Sequence, residues 1–219
     1  MIASVLAGLT ILVVGDSHLG YPGYLIDTLQ DNLLANGAKQ VHTVGVCGST
    51  PADWLTATPG TCGGAERIGK SPMVRKETIS TTPISQLLAT DKPDLVIVVM
   101  GDTMGGYGKD VFPKTWAWQQ TTGLTKAIAA NKTACVWVGP PWGSPGGKYN
   151  KTFGRVQQVS SFLATNVAPC EYIDTTKMSK PGEWGSTDGQ HLTTTAYKAW
   201  GKDISDALVQ LPGVKKLKQ

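Results

Sequence analysis

The chain predicts an α/β protein, a three-layer α/β/α sandwich around a five-stranded parallel sheet in the order 2-1-3-4-5. Two observations carry this. Short apolar runs rich in β-branched residues alternate along the whole chain with stretches of helical period. One of those runs, Leu95-Val96-Ile97-Val98-Val99-Met100, is apolar without a break, as a strand covered on both faces must be.

In chain order, strands are expected at Leu9–Val14, Gln40–Val46, Asp94–Met100, Ala134–Val138 and Glu171–Asp174. Helices are expected near Gly23–Asn36, Pro83–Thr90, Thr115–Asn131, Phe153–Asn166 and Thr193–Leu211. Ser49 to Ser80 is rich in Gly, Pro, Thr and Ser and longer than an ordinary connection. It reads as an irregular functional insertion beside the crevice at the carboxyl ends of the strands. No internal repeat, charge block or linker divides the chain, and its 219 residues suffice for one domain over 1–219 with a substantial core.

Charge excludes some partners. Twenty Lys and Arg against sixteen Asp and Glu leave a formal net charge of +4, with Lys215, Lys216 and Lys218 clustered at the tail. Without a basic stripe interleaved with aromatics, that tail reads as solvated and no nucleic-acid partner is expected. Met1 to Val14 is apolar but has no basic segment, is shorter than a membrane span, and its second half is needed as the first strand. It reads as the start of the mature domain, with no stable membrane insertion. A monomer is expected.

The first chemical signal is Val13-Val14-Gly15-Asp16-Ser17-His18, where a buried strand breaks into small polar residues. Ser17 then stands at a strand's carboxyl end, where open α/β sheets bind ligands. The second is Asp188-Gly189-Gln190-His191, near the other end. An Asp three residues before a His can bond Nδ1–H and leave Nε2 free to take a serine proton. The order Ser, Asp, His is that of other α/β serine hydrolases, although Gly-x-Ser-x-Gly is absent around Ser17. His18 and His42 are left outside the chemistry, His42 as a structural residue within a strand.

The four cysteines form no Cys-x-x-Cys pair, so no metal site is expected. Of three possible pairings the favoured one is Cys47–Cys62 with Cys135–Cys170, the first closing a local loop and the second joining neighbouring elements. Four buried free thiols are the alternative. Disulfides would mean a periplasmic or secreted protein.

With these residues in view, the chain resembles the SGNH hydrolases, the GDSL-type esterases and lipases. The matching blocks are Gly15-Asp16-Ser17, Val46-Cys47-Gly48-Ser49-Thr50, Gly101-Asp102 and Asp188-Gly189-Gln190-His191. The resemblance implies a flavodoxin-like sheet, Ser17 as nucleophile, His191 as base oriented by Asp188, and the N–H groups of Ser17 and Gly48 as oxyanion donors. One block departs from the family, which usually has Gly-Asn at Gly101-Asp102 and uses the Asn amide as third donor.

A carboxylate about 4 Å from a developing oxyanion costs about 4 kcal/mol at an effective dielectric near 20, whereas an amide donor there helps by roughly 3 kcal/mol. The Asp102 side chain is therefore expected to turn toward backbone N–H groups while the Thr103 hydroxyl donates. On that reading Asp102→Asn changes turnover by less than about tenfold.

Seven tryptophans are many for this length. Trp54, Trp116, Trp118, Trp142 and Trp184 fall on segments near the carboxyl ends of the strands. Trp142 and Trp184, in Gly/Pro-rich surroundings, are the expected sugar contacts, because flat aromatic faces cover sugar C–H surfaces. The function expected is removal of acetyl or other small acyl groups from a carbohydrate, without metal or cofactor. Two alternatives stand beside it: an O-acetyltransferase acting on an exopolysaccharide with the same triad, and a non-catalytic carbohydrate-binding or assembly protein. A flavodoxin-like cofactor binder is disfavoured, since Asp16 would oppose a phosphate after the first strand.

Overall fold

A computed structural model of the chain describes residues 4–217. Its strands are β1 (Thr10–Gly15), β2 (Gln40–Val46), β3 (Gly64–Ile68), β4 (Val74–Lys76), β5 (Leu95–Val99), β6 (Ala134–Val138) and β7 (Glu171–Ile173). The helices are α1 (Leu25–Ala35), α2 (Ile84–Asp91), α3 (Lys114–Ala130), α4 (Phe153–Asn166), α5 (Thr194–Leu208) and α6 (Pro212–Lys216). The sheet order is β4-β3-β2-β1-β5-β6-β7. Its parallel core, β2-β1-β5-β6-β7, has the order expected from the sequence.

Strand alternation divides the core into two layers. Ile11, Val13, Ile97, Val99, Val136 and Val138 face α1 and α5, together with Tyr197 and Trp200. Leu12, Val14, Val96, Val98 and Trp137 face the α2, α3 and α4 side. Every residue of β5 is buried, which explains its unbroken apolar run.

One expectation needs correction. The stretch read as irregular contains β3, antiparallel to β2, and β4, antiparallel to β3, so the sheet has seven strands rather than five. Gly64-Ala65-Glu66-Arg67-Ile68 hides its strand character because it is polar and has one β-branched residue. Glycine is required at its start, since a Cβ on Gly64 would lie 2.2 Å from the Gly45 carbonyl oxygen. Polar anchors hold the hairpin. Arg67 Nη2 donates to Asp31 Oδ1 at 2.7 Å, and Arg75 reaches the carbonyls of Cys62 and Gly64 at 3.0 Å each. The charged residues Arg75 and Lys76 on the short edge strand also discourage further pairing.

Cys47 is joined to Cys62, closing the loop that leads into β3, and Cys135 at the start of β6 is joined to Cys170 just before β7. The last expected helix is split: α5 ends at Leu208 and Pro212 opens α6. Lys215 and Lys216 are exposed, and Lys218 lies outside the described residues.

Candidate active site

Ser17 begins a short 3-10 turn directly after β1, in which the Asp16 carboxylate accepts the His18 N–H at 3.0 Å. Asp188 and His191 lie on a tight turn before α5, fixed by a bridge between Ser186 and Leu192 and by the Thr187 N–H on the His191 carbonyl at 2.8 Å. Gly189, at φ +93°, allows that turn to close. Thr193 then caps α5 through the Ala196 N–H.

These two segments meet. His191 Nε2 lies 2.7 Å from Ser17 Oγ, and His191 Nδ1 lies 2.7 Å from Asp188 Oδ2. The other Asp188 oxygen accepts the Gln190 and His191 N–H groups at 3.0 and 2.8 Å. Burial works against the Asp188 charge, but the bonds from the His191 backbone and ring prevail and hold its carboxyl below the usual range. His191 is pushed down as well, by burial first and by the neighbouring His18 second, against the pull of Asp188. A lowered imidazole is neutral at pH 7, as a general base must be.

Gly48 follows β2 at φ +77°, in a conformation that favours glycine, and a Cβ there would meet Thr61 Oγ1 at 2.3 Å. The Cys47–Cys62 bridge and the Trp54 indole, which donates to Ser49 Oγ at 3.2 Å, brace the same loop. Among the described residues neither the Ser17 nor the Gly48 backbone N–H has an acceptor.

Asp102 does not turn to backbone N–H groups as expected. Its carboxylate is enclosed and accepts from side chains: Oδ2 from Lys151 Nζ at 2.7 Å and His18 Nε2 at 2.8 Å, Oδ1 from the Tyr107 hydroxyl at 2.5 Å. Burial raises its pKa, yet the Lys151 charge and the bond to His18 outweigh it and leave Asp102 well below the carboxylate range. His18 Nδ1 lies 2.7 Å from the Tyr197 hydroxyl, so both nitrogens of this second histidine are occupied. Among the described residues Thr103 Oγ1, which is buried, has no hydrogen-bond partner.

The aromatic residues around the triad are tyrosines. Tyr24 stacks near His191 at 6.0 Å between ring centroids, and Tyr149 meets it edge-on at 5.6 Å. Trp142 and Trp184 are half-buried: the Trp142 indole donates to the Thr176 and Ser179 carbonyls, and Trp184 packs against the α1/α5 core. Trp54 is core, while Trp116 and Trp118 line an open groove between α3 and α4 that includes no triad residue. Lys151, Tyr107, Tyr24 and Tyr149 carry no sequence signal. Lys151 in particular sits in Gly-Lys-Tyr-Asn-Lys-Thr, which reads as a solvated loop.

A nucleophile, a base on it and an acid orienting the base make a serine acyl-transfer geometry. Around a parallel sandwich with the serine after β1, they define the SGNH hydrolase fold. The solved structures agree on the fold. A lipase/acylhydrolase from Enterococcus faecalis superposes with a TM-score of 0.58 at 18% identity over 92% of this chain and 95% of that one. TesA gives 0.59 at 20% identity over 91% and 97%. A peptidoglycan O-acetylesterase gives 0.52 at 13% over 94% and 91%. No family model matches the chain. Protein BcsX of Komagataeibacter xylinus is 44% identical over 220 residues, spanning 98% of this chain and 81% of that protein, and the chain belongs to the BcsX family.

Proposed function

We propose that this chain is a serine esterase that removes acetyl or other small acyl groups from a carbohydrate through an acyl-Ser17 intermediate. The observation that carries the reading is the Ser17 Oγ to His191 Nε2 approach of 2.7 Å with Asp188 on the far nitrogen. In the first step Ser17 Oγ attacks the ester carbonyl and its proton passes to His191 Nε2. The Ser17 and Gly48 N–H groups receive the oxyanion. His191 then returns the proton to the leaving alcohol, and water, activated by the same imidazole, frees the acid and regenerates Ser17. Asp188 keeps the ring in the tautomer that accepts at Nε2.

A carbohydrate substrate is supported by the half-buried ring of Tyr149 beside His191, an aromatic surface of the kind that covers sugar C–H groups. The solved peptidoglycan O-acetylesterase of the same fold is in keeping with it. Two disulfides fit an oxidising compartment and support a periplasmic or extracellular location as part of this proposal.

The test is p-nitrophenol release from p-nitrophenyl acetate by the wild-type protein beside Ser17→Ala, with and without cello-, chito- or alginate oligosaccharides, products being read by mass. Release lost by about 10⁴-fold or more in Ser17→Ala, with oligosaccharide masses unchanged, is the expected result. Acetylated oligosaccharides would replace hydrolysis by transfer. Equal rates in both proteins would leave a binding protein.

A further inference from the structure

Lysine is almost never fully buried unless paired. Lys151 has no exposed side-chain surface, nor has the Asp102 carboxylate it meets at 2.7 Å. The pair stands where four segments converge on the triad. Asp102 opens the turn after β5, and Lys151 lies directly before the Thr152 cap of α4. His18, next to the nucleophile, shares Asp102 Oδ2 and reaches α5 through Tyr197. Its ring centroid is 5.4 Å from that of His191.

The lysine stem reaches the acid side of the triad as well. A Cβ built on Gly143 would touch Lys151 Cδ at 3.0 Å and the Gly189 carbonyl oxygen at 2.3 Å. That same loop donates the Ser144 N–H to the Gly189 carbonyl at 2.8 Å and the Lys148 N–H to the Asp188 carbonyl at 2.9 Å. Lys151 thus packs at its head on Asp102, which also holds His18 beside the serine, and along its stem on the loop that holds the Asp188 turn.

A lone carboxylate at position 102 would oppose an oxyanion. With an ammonium on one oxygen, the two charges offset each other, and the repulsion a lone carboxylate would exert on an oxyanion is largely removed. The geometry points to Lys151 as a positioning residue: Lys151 and Asp102 form one neutral unit in the place of the family's asparagine, and Lys151 acts on the chemical step through Asp102. This inference rests on the acyl-ester reading given above. It also revises the expectation that Asp102→Asn is mild, because that exchange alone leaves a buried ammonium without its carboxylate.

The test is a cycle of Lys151→Met, Asp102→Asn and the double variant, each measured for kcat, KM and melting midpoint. Each single change is expected to lower kcat at least about 100-fold with KM within about threefold, a split that a purely structural role in substrate binding would not give. The double variant, which pairs an amide with an apolar stem, is expected to return within about tenfold of wild-type kcat. Should the single variants fail to melt cooperatively, the double variant alone decides. Lys151→Met within about threefold of wild-type kcat overturns the proposal. So does a double variant that is unfolded or no faster than the slower single variant. A wild-type protein that neither releases p-nitrophenol nor is labelled at Ser17 by a fluorophosphonate sinks the ester reading, and with it any action on a chemical step. The melting midpoints then still report the pairing, the double variant melting above both single ones.

Discussion

Two aspartate–histidine pairs lie side by side in this protein, and only one is placed to do chemistry. Asp188 and His191 sit on a turn between strand and helix, with the carboxylate partly open to solvent and Nε2 directed at Ser17. Asp102 and His18 are closed in, the carboxylate shared with Lys151 and Tyr107 and the far ring nitrogen taken by Tyr197. The contact distances are nearly equal, 2.7 and 2.8 Å. What separates the pairs is the second nitrogen: a proton can be exchanged where it meets a nucleophile, and a position is held where it meets a buried phenol. A third case, His42 on β2 between Asp91 and Glu66, belongs with the second kind, both of its nitrogens being held by carboxylates.

The comparison is broken most severely at Asp188. Asp188→Asn removes the acceptor for Nδ1–H and frees the ring to take the wrong tautomer, so kcat is expected to fall on the order of 10³–10⁴-fold with the melting midpoint little changed. A fall of less than about tenfold in steady-state kinetics would remove Asp188 from the catalytic set.

A change at His18 sharpens the contrast. His18→Gln leaves Asp102 paired with Lys151 and Tyr107, and kcat is expected to fall only about tenfold. Its more telling effect is on pH dependence. His191 must be neutral to accept the serine proton, and burial together with His18 holds its pKa below the ordinary 6.5. The acid limb of kcat/KM is therefore expected below pH 6.5 in the wild type. It should move upward in His18→Gln, since the influence of His18 that disfavours the His191 imidazolium is gone. An unmoved acid limb would show that His18 acts by packing alone.

The smallest effect is expected at His42. His42→Gln is expected to leave kcat within about twofold and to lower stability by about 1 kcal/mol, measured by urea denaturation. A catalytic defect there would place the β2–β3 pairing in communication with Ser17.

The parallel sheet was legible because β1, β5 and β6 are buried on both faces and can tolerate almost nothing but apolar side chains. The β3–β4 hairpin was not, because its stability comes from Arg67 and Arg75 reaching α1 and loop carbonyls, contacts that leave a polar, loop-like composition. The triad residues were legible for a different reason: a serine at a strand end and an Asp three residues before a His are local patterns. Lys151 was hidden since its partner is 49 positions away and a lysine beside Asn and Thr looks solvated. The rings against His191 belong to Tyr24 and Tyr149, which carry no local pattern and which the fold alone brings there.

The 174 positions between Ser17 and His191 set a clock on the newborn polypeptide. At about 5–20 residues per second of synthesis, the serine waits roughly 9–35 s for its base to be made. Until α5 has packed on α1, the hydroxyl is an ordinary alcohol, inert toward activated esters in the compartment where it is translated. The Ser17–His191 contact exists only once the turn before α5 has been brought against the end of β1.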